Sequence, residues 1–133
     1  HENMRKIAEH NETNGATHTV GINFLTDMTQ DEKKVLLGYR AKDKKEDLRA
    51  HGILETDALP DSVNWVTKGA VGPVRNQGQC GSCWAFSAVE EVEGAMAIKT
   101  GKFVAYSVQQ LVDCDKTDMG CSGGLMDNAF AYI

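Results

Sequence analysis

The chain has 133 residues, 41% of them hydrophobic and 25% charged, an ordinary globular composition that suffices for one domain or for parts of two. Its net charge of −5 offers no basic field to nucleic acid or to an anionic membrane surface, so neither is expected as a partner. No apolar run approaches the ~20 residues that a membrane span needs. The chain opens at His1 without an initiator Met and ends on Ile133 inside an apolar stretch, so it reads as a fragment cut at both ends.

Residues 1 to about 14 are predicted to be the end of a helix. Met4, Ile7 and Ala8 recur at helical spacing, and Asn14-Gly15 supplies a stop. Thr17 to Ile22 is rich in β-branched residues and predicts a short strand. Thr29, with Glu32 three residues later, has the form of a capping box, opening a helix that would carry Val35, Leu36 and Leu37 and stop near Gly38. Residues 40–57 are dense in Lys, Arg, Asp and Glu and predict a linker. A boundary near Leu59-Pro60 divides a first part with nine basic and eleven acidic residues from a second with five and eight. The second part also holds all four cysteines and both tryptophans.

Beyond the boundary, Ser62–Trp65 and Ala70–Val74 are expected as short extended pieces around turns. A helix from Ser82 to about Thr100, apolar on most of its circumference from Trp84 to Ile98, should be buried, and Gly101 should end it. Ser107 and Gln110 have the form of a second capping box, opening a helix through Leu111, Val112 and Cys114. A third helix should begin at Leu125, after the loop Gly120-Cys-Ser-Gly-Gly124.

Three chemistries compete for the cysteines at 80, 83, 114 and 121. Zinc would use two close pairs, but only Cys80 and Cys83 have that spacing, and no histidine lies nearby. A redox dithiol would use Cys80-Gly-Ser-Cys83, but such pairs follow a strand in a βαβ setting that this chain lacks. A nucleophilic Cys83 at the start of a helix, with Cys80 tied elsewhere as a disulfide, explains more of the neighbourhood. The free N–H groups and dipole of a helix start favour the thiolate. Acyl transfer also needs an oxyanion hole, and the N–H of Cys83 with the side-chain amide of Gln77 could converge on one oxygen. Taken alone, Gln77 would read as a loop residue facing water.

These residues resemble a family. Cys80-Gly-Ser-Cys83-Trp84 satisfies the papain and cathepsin signature. Gln77 to Phe86 is similar to the active-site segment of papain-like cysteine proteases, and Ser107–Cys114 and Gly120–Phe130 to that family's next two landmarks. The wording Leu-Met-Asp-Asn-Ala-Phe from Leu125 to Phe130 is most similar to the cathepsin L branch. In the first part, Asn3, Ile7 and Asn11, with Gly21, Asn23 and Asp27, resemble the inhibitory propeptide. Leu25 stands where that pattern has Phe, and Phe24 sits beside it.

The resemblance implies an α+β papain-like fold, here mainly its helical left-hand half with a central buried helix, preceded by part of a helical propeptide domain. Residues 1–58 would be propeptide and 59–133 the amino-terminal half of a peptidase domain. Cys83 would be the nucleophile, Gln77 the oxyanion donor, and Cys80 and Cys121 a disulfide. Gly81, Ser82, Trp84, Gly123 and Gly124 would border the substrate. Leu125 and Met126 would line an apolar pocket, although plain helix core accounts for Leu125 equally well.

No cofactor or metal is implied. The partners would be peptide and protein substrates, the chain's own propeptide and proteinaceous cysteine-protease inhibitors. The parent protein would be lysosomal, vacuolar or secreted, made as a zymogen and working in an acidic compartment. A non-catalytic inhibitor or decoy of cysteine proteases is the alternative, but it would have no use for a nucleophile.

The base is missing from this stretch of chain. The triad histidine and asparagine are expected ~130–150 residues after the cysteine, whereas the chain ends at 133. Histidines 1, 10, 18 and 51 all precede Cys83 and read as surface residues of the propeptide-like part. The fragment alone is therefore expected to be marginal and inactive, with an apolar helix face and Cys114 unpartnered.

Overall fold

Local sequence signals decide where the helices begin, and the computed structural model bears most of them out. It describes residues 1–13, 15–41 and 59–133. Asn14, His51 and the greater part of the expected linker lie outside the described residues. Two compact units divide between Val35 and Leu36.

In the first unit, α1 spans Glu2–Glu12. One side of it bears Asn3 and Asn11, and both side chains reach the following segment. The Asn3 amide donates to the Thr26 carbonyl at 2.7 Å. Asn11 both donates to the Val20 carbonyl at 2.8 Å and accepts the Val20 N–H at 2.9 Å. Residues 17–22 therefore run without forming the expected strand. An asparagine side chain satisfies the very backbone groups at Val20 that a sheet partner would have taken. Leu25 is half-buried in the Phe position of the propeptide pattern, and the neighbouring Phe24 points outward at 64% exposure.

The Thr29 capping box forms as expected. The Thr29 hydroxyl accepts the Glu32 N–H at 3.2 Å, and the Glu32 carboxylate accepts the Thr29 N–H at 2.6 Å. The helix it opens is shorter than predicted: α2 spans Gln30–Lys33 and tightens into a 3-10 turn over Lys34–Leu36. Hydrogen bonds first from the Thr29 backbone and then from its side chain hold the Glu32 carboxyl below its usual range. A carboxyl lowered in the folded state contributes stability above its unfolded value and loses it as the pH falls through the folded value. Acidification below the ordinary glutamate range should therefore fray α2, read by the Glu32 and Thr29 amide NMR signals. Glu32→Gln should remove that pH dependence; if it persists in the variant, the box is not its source.

The second unit is built around α3, Cys83–Thr100. Gly101 ends it in the left-handed region, with φ at 72°. Against α3 pack α4, Val108–Cys114, and α5, Met126–Tyr132. Trp84, Ala85, Ala88 and Val89 form the core with Leu111 and Ala129. The second predicted capping box is half made: the Ser107 hydroxyl accepts the Gln110 N–H at 3.2 Å. A 3-10 turn, Gly120–Ser122, precedes α5. The sequence pattern predicted burial around most of α3, and on one side this fails. Met96 and Ile98 are exposed, and Val92, Met96, Tyr106 and Tyr132 border an open apolar hollow of about 400 Å³. The middle of α3 carries a surprise for an apolar helix, since Glu93 is buried there.

Candidate active site

Three stretches of the second unit meet around residues 36–40, which leave the 3-10 turn at Leu36 and pair with the loop at Tyr39. The first is the turn leading into α3. Ser82 occupies the N-cap position and Cys83 is the first helical residue, half-buried and carrying a free thiol. The first turn of a helix has backbone N–H groups without intrahelical acceptors, and α3 has no acidic residue there to oppose a thiolate.

The second stretch carries Gln77. Its side-chain amide donates to the Cys80 carbonyl at 2.6 Å and to the Leu36 carbonyl at 2.9 Å. The glutamine that in isolation reads as solvent-facing is thus half-buried and holds the carbonyl at the end of a 3-10 turn 41 residues away.

The third stretch is the loop from Asp118 to Leu125, tied to the first by the Cys80–Cys121 disulfide and by a Gly81 N–H to Cys121 carbonyl bond of 2.9 Å. The indole N–H of Trp84 donates to the Gly120 carbonyl at 3.1 Å. Gly124 presents the loop's edge. Its N–H donates to the Gly38 carbonyl at 2.8 Å, and its carbonyl accepts the Arg40 N–H at 3.0 Å. These two bonds form a parallel bridge centred on Tyr39. The Arg40 guanidinium adds a bond from Nε to the Ser122 carbonyl at 2.9 Å.

Glycine is required where backbones approach this closely. Gly123 has φ at +111°, and a Cβ there would lie 2.7 Å from the Gly38 oxygen. A Cβ on Gly124 would lie 2.6 Å from the Trp84 ring and 2.7 Å from the Asp118 carboxyl carbon.

Of the residues expected along the substrate, Gly81, Gly123 and Gly124 line the segment with their backbones. Trp84 and Ser82 lie beneath that surface: Trp84 is 1% exposed and supports Gly124 from behind. The Leu125 side chain is buried, and Met126 packs against the core cluster. Arg40 and Gly38 escaped the sequence reading, Arg40 because it opens a charge-rich stretch that predicts a linker. Among the described residues no group of three or more His, Cys, Asp and Glu side chains is placed to hold a metal ion. No described helix is long and apolar enough to cross a membrane.

A free thiol at a helix start, an amide bonded to a chain carbonyl and a glycine edge paired with backbone are thus brought together within the second unit. Comparison with known proteins gives the class. The model of the papain family cysteine proteases matches residues 59–133, and that of the cathepsin propeptide inhibitor domain (I29) matches residues 1–32. The chain belongs to the papain family of cysteine proteases.

It is 48% identical over 139 residues to procathepsin L of Rattus norvegicus, covering 99% of this chain and 41% of that protein. It is 45% identical over 142 residues to germination-specific cysteine protease 1 of Arabidopsis thaliana, covering 99% of this chain and 38% of that protein. Among solved structures, procathepsin L2 from the larval midgut of Tenebrio molitor superposes with a TM-score of 0.81 at 38% identity, over 99% of this chain and 46% of that one. The chain thus spans about two fifths of the length of such relatives. The fold is the papain-like α+β fold, represented here mainly by its helical half, after part of a helical propeptide domain.

Proposed function

We propose that this chain is part of the zymogen of a cysteine endopeptidase, with residues 1–58 as propeptide and 59–133 as the first part of the peptidase domain. The observation that carries the reading is the grip of Gln77 on the Leu36 carbonyl, within a groove bordered by Gly81 and Gly124. An amide that holds a chain carbonyl in the resting state can hold the oxyanion of a substrate carbonyl once segment 36–40 has left. The chain inhibits itself by filling its own groove.

In the reaction so proposed, the Cys83 thiolate attacks the substrate carbonyl carbon, a C–S bond forms, and negative charge builds on the oxygen. Gln77 and the Cys83 N–H stabilise that oxygen; losing one such donor costs roughly 10²–10³ in rate. The C–N bond then breaks, the amine leaving with a proton from a histidine that an asparagine orients, and water hydrolyses the thioester. We place that histidine and asparagine in the part of the family's length that this chain does not span.

Leu125 and Met126, directly after the Gly124 edge, would set an apolar preference beside the cleaved bond. Partners would be peptide and protein substrates, the propeptide and proteinaceous cysteine-protease inhibitors. An acidic lysosomal or vacuolar compartment, or secretion, fits a zymogen of this kind.

The test is covalent. Full-length protein, after removal of the propeptide, is treated with a thiol-directed epoxide and mapped by peptide mass spectrometry. Modification is expected at Cys83, with loss of peptidase activity and much slower labelling before the propeptide is removed. Labelling confined to the exposed thiol of Cys114 would sink the assignment and favour the inhibitor reading.

A further inference from the structure

Two carboxylates close the loop between α4 and α5, and the chemistry proposed above uses neither. Asp115, almost fully buried, accepts the Thr117 N–H at 2.8 Å and the Asp118 N–H at 3.4 Å on Oδ1. Asp118 in turn accepts the Leu125 N–H and the Asn128 side-chain amide on its own Oδ1, both at 3.0 Å. The Oδ2 atoms of both residues are buried and take no hydrogen bond in the structure. An acceptor left unmatched in the interior costs free energy, so a carboxylate kept here must return something through its other oxygen.

What Asp118 returns is the position of Gly124. Its carboxyl carbon lies directly behind Gly124, where a Cβ would come within 2.7 Å of it, with the Trp84 ring as the other backing surface. The Leu125 N–H that it holds belongs to the peptide group whose carbonyl is that of Gly124, and that carbonyl accepts the Arg40 N–H. Asp118 therefore fixes both the depth and the tilt of the peptide unit that pairs with an extended chain. The disulfide at Cys121 and the Gly120–Trp84 bond anchor the loop three to four residues earlier, too far back to orient this unit.

We propose that Asp118 is the positioning residue of the edge that receives extended peptide, governing affinity for such chains without touching the reacting atoms. The inference rests on the reading of the groove as a substrate site. Asp118→Ala removes the clasp, whereas Asp118→Asn keeps an acceptor of the same reach for the Leu125 N–H.

Hydrogen exchange of the unprocessed full-length protein reads the edge without any turnover. In Asp118→Ala the Gly124 and Arg40 amides should exchange about tenfold faster, the size of one or two lost hydrogen bonds. The Val89 and Glu93 amides in the middle of α3 should hold, and Asp118→Asn should stay near wild type. In the processed enzyme, Asp118→Ala should raise KM for an extended peptide by about tenfold, with kcat within a few-fold. Asn should restore KM.

Unchanged protection at Gly124 and Arg40, equal loss throughout α3, or an unmoved KM would each overturn the assignment. If Asp118→Ala does not fold, Asn128→Ala removes one of the two donors and leaves the carboxylate. The Leu125 and Gly124 amides should then exchange faster, and no change overturns the proposal. Absence of peptidase activity in the wild type would refute the enzymatic reading, while the exchange experiment would still decide the role of Asp118 at the edge.

Discussion

Replacing Gly38 with alanine should drive residues 36–40 out of the groove and leave Gln77 and Cys83 open. Gly38 is buried with its Cα against the backbone of Gly81, and an added Cβ would collide with the Gly81 carbonyl and lie 2.9 Å from its Cα. Gly81 cannot retreat. Its N–H is bonded to Cys121, the preceding Cys80 is crosslinked to that residue, and the following Ser82 is the N-cap of α3.

Something must yield. Overpacking of this kind costs about 1–3 kcal/mol. The segment is held chiefly by the bonds of Gly38 and Arg40 to Gly124 and of Leu36 to Gln77, each worth about 0.5–1.5 kcal/mol net. Those bonds, together with that of Arg40 Nε to Ser122, match or exceed that cost, so relaxation decides the outcome. The Gly81 turn is crosslinked and bonded on both sides, whereas residues 36–40 are tied by hydrogen bonds and are the side that shifts.

Cys83 in the unprocessed full-length protein should react with a small thiol reagent at least about tenfold faster in Gly38→Ala, with cleavage by an added protease appearing within residues 36–41. The helical circular dichroism should be unchanged. Gly21→Ala is the control, since a Cβ at Gly21 meets nothing within 4 Å. An unaltered Cys83 rate would mean that the close contact with Gly81 does not govern occupancy of the groove.

The contrast between Gly38 and Cys83 shows what could be read from the chain alone. Cys83 announces itself because its signals are local: a Gly-Ser pair before it, an apolar helix after it, and Gly101 ending that helix. The Thr29 box is legible for the same reason, since both partners lie within one turn. The geometry around residues 36–40 is a sum of long-range contacts to backbone groups. Gly38 meets Gly81 and Gly124, Leu36 meets Gln77, and Arg40 meets Ser122, 82 residues away. None of these leaves a periodic trace.

Polar residues misled in a consistent way. Asn11 replaced the expected strand by satisfying Val20 itself, and Arg40 was absorbed into a charged stretch that it does not behave like. Asp118 sits in a polar loop that gives no sign of a clasp. Family resemblance supplies the roles proposed for Cys83 and Gln77, but it does not reveal how the loop behind them is held.

The buried carboxylate of Glu93 gives the largest effect on stability. It is 2% exposed in the middle of α3, accepts from Arg75 Nη2 at 2.7 and 2.9 Å, and takes the Tyr106 N–H at 2.6 Å. Three separate stretches of the second unit are thereby joined at one side chain, two residues before the glutamine of the groove in the case of Arg75. Arg75→Ala would leave a buried charge facing a single backbone donor, a loss expected at about 3–5 kcal/mol. A domain's whole stability is only about 5–15 kcal/mol, so this variant should unfold at far lower urea.

Arg75→Lys should fall between, because an ammonium keeps the charge but is more strongly hydrated than a guanidinium and so costs more to bring beside a buried carboxylate. Glu93→Gln should cost less than Arg75→Ala, since the amide oxygen still serves Tyr106 and the Arg75 side chain, 20% exposed, can reach water. The double variant Arg75→Leu with Glu93→Leu should recover much of the loss, as replacing both members of a buried pair commonly does. Urea unfolding of the full-length protein and these four variants measures each step. If Arg75→Ala costs no more than about 1 kcal/mol, the value of an exposed ion pair, Glu93 is satisfied without Arg75 and the ion pair is not what joins these stretches.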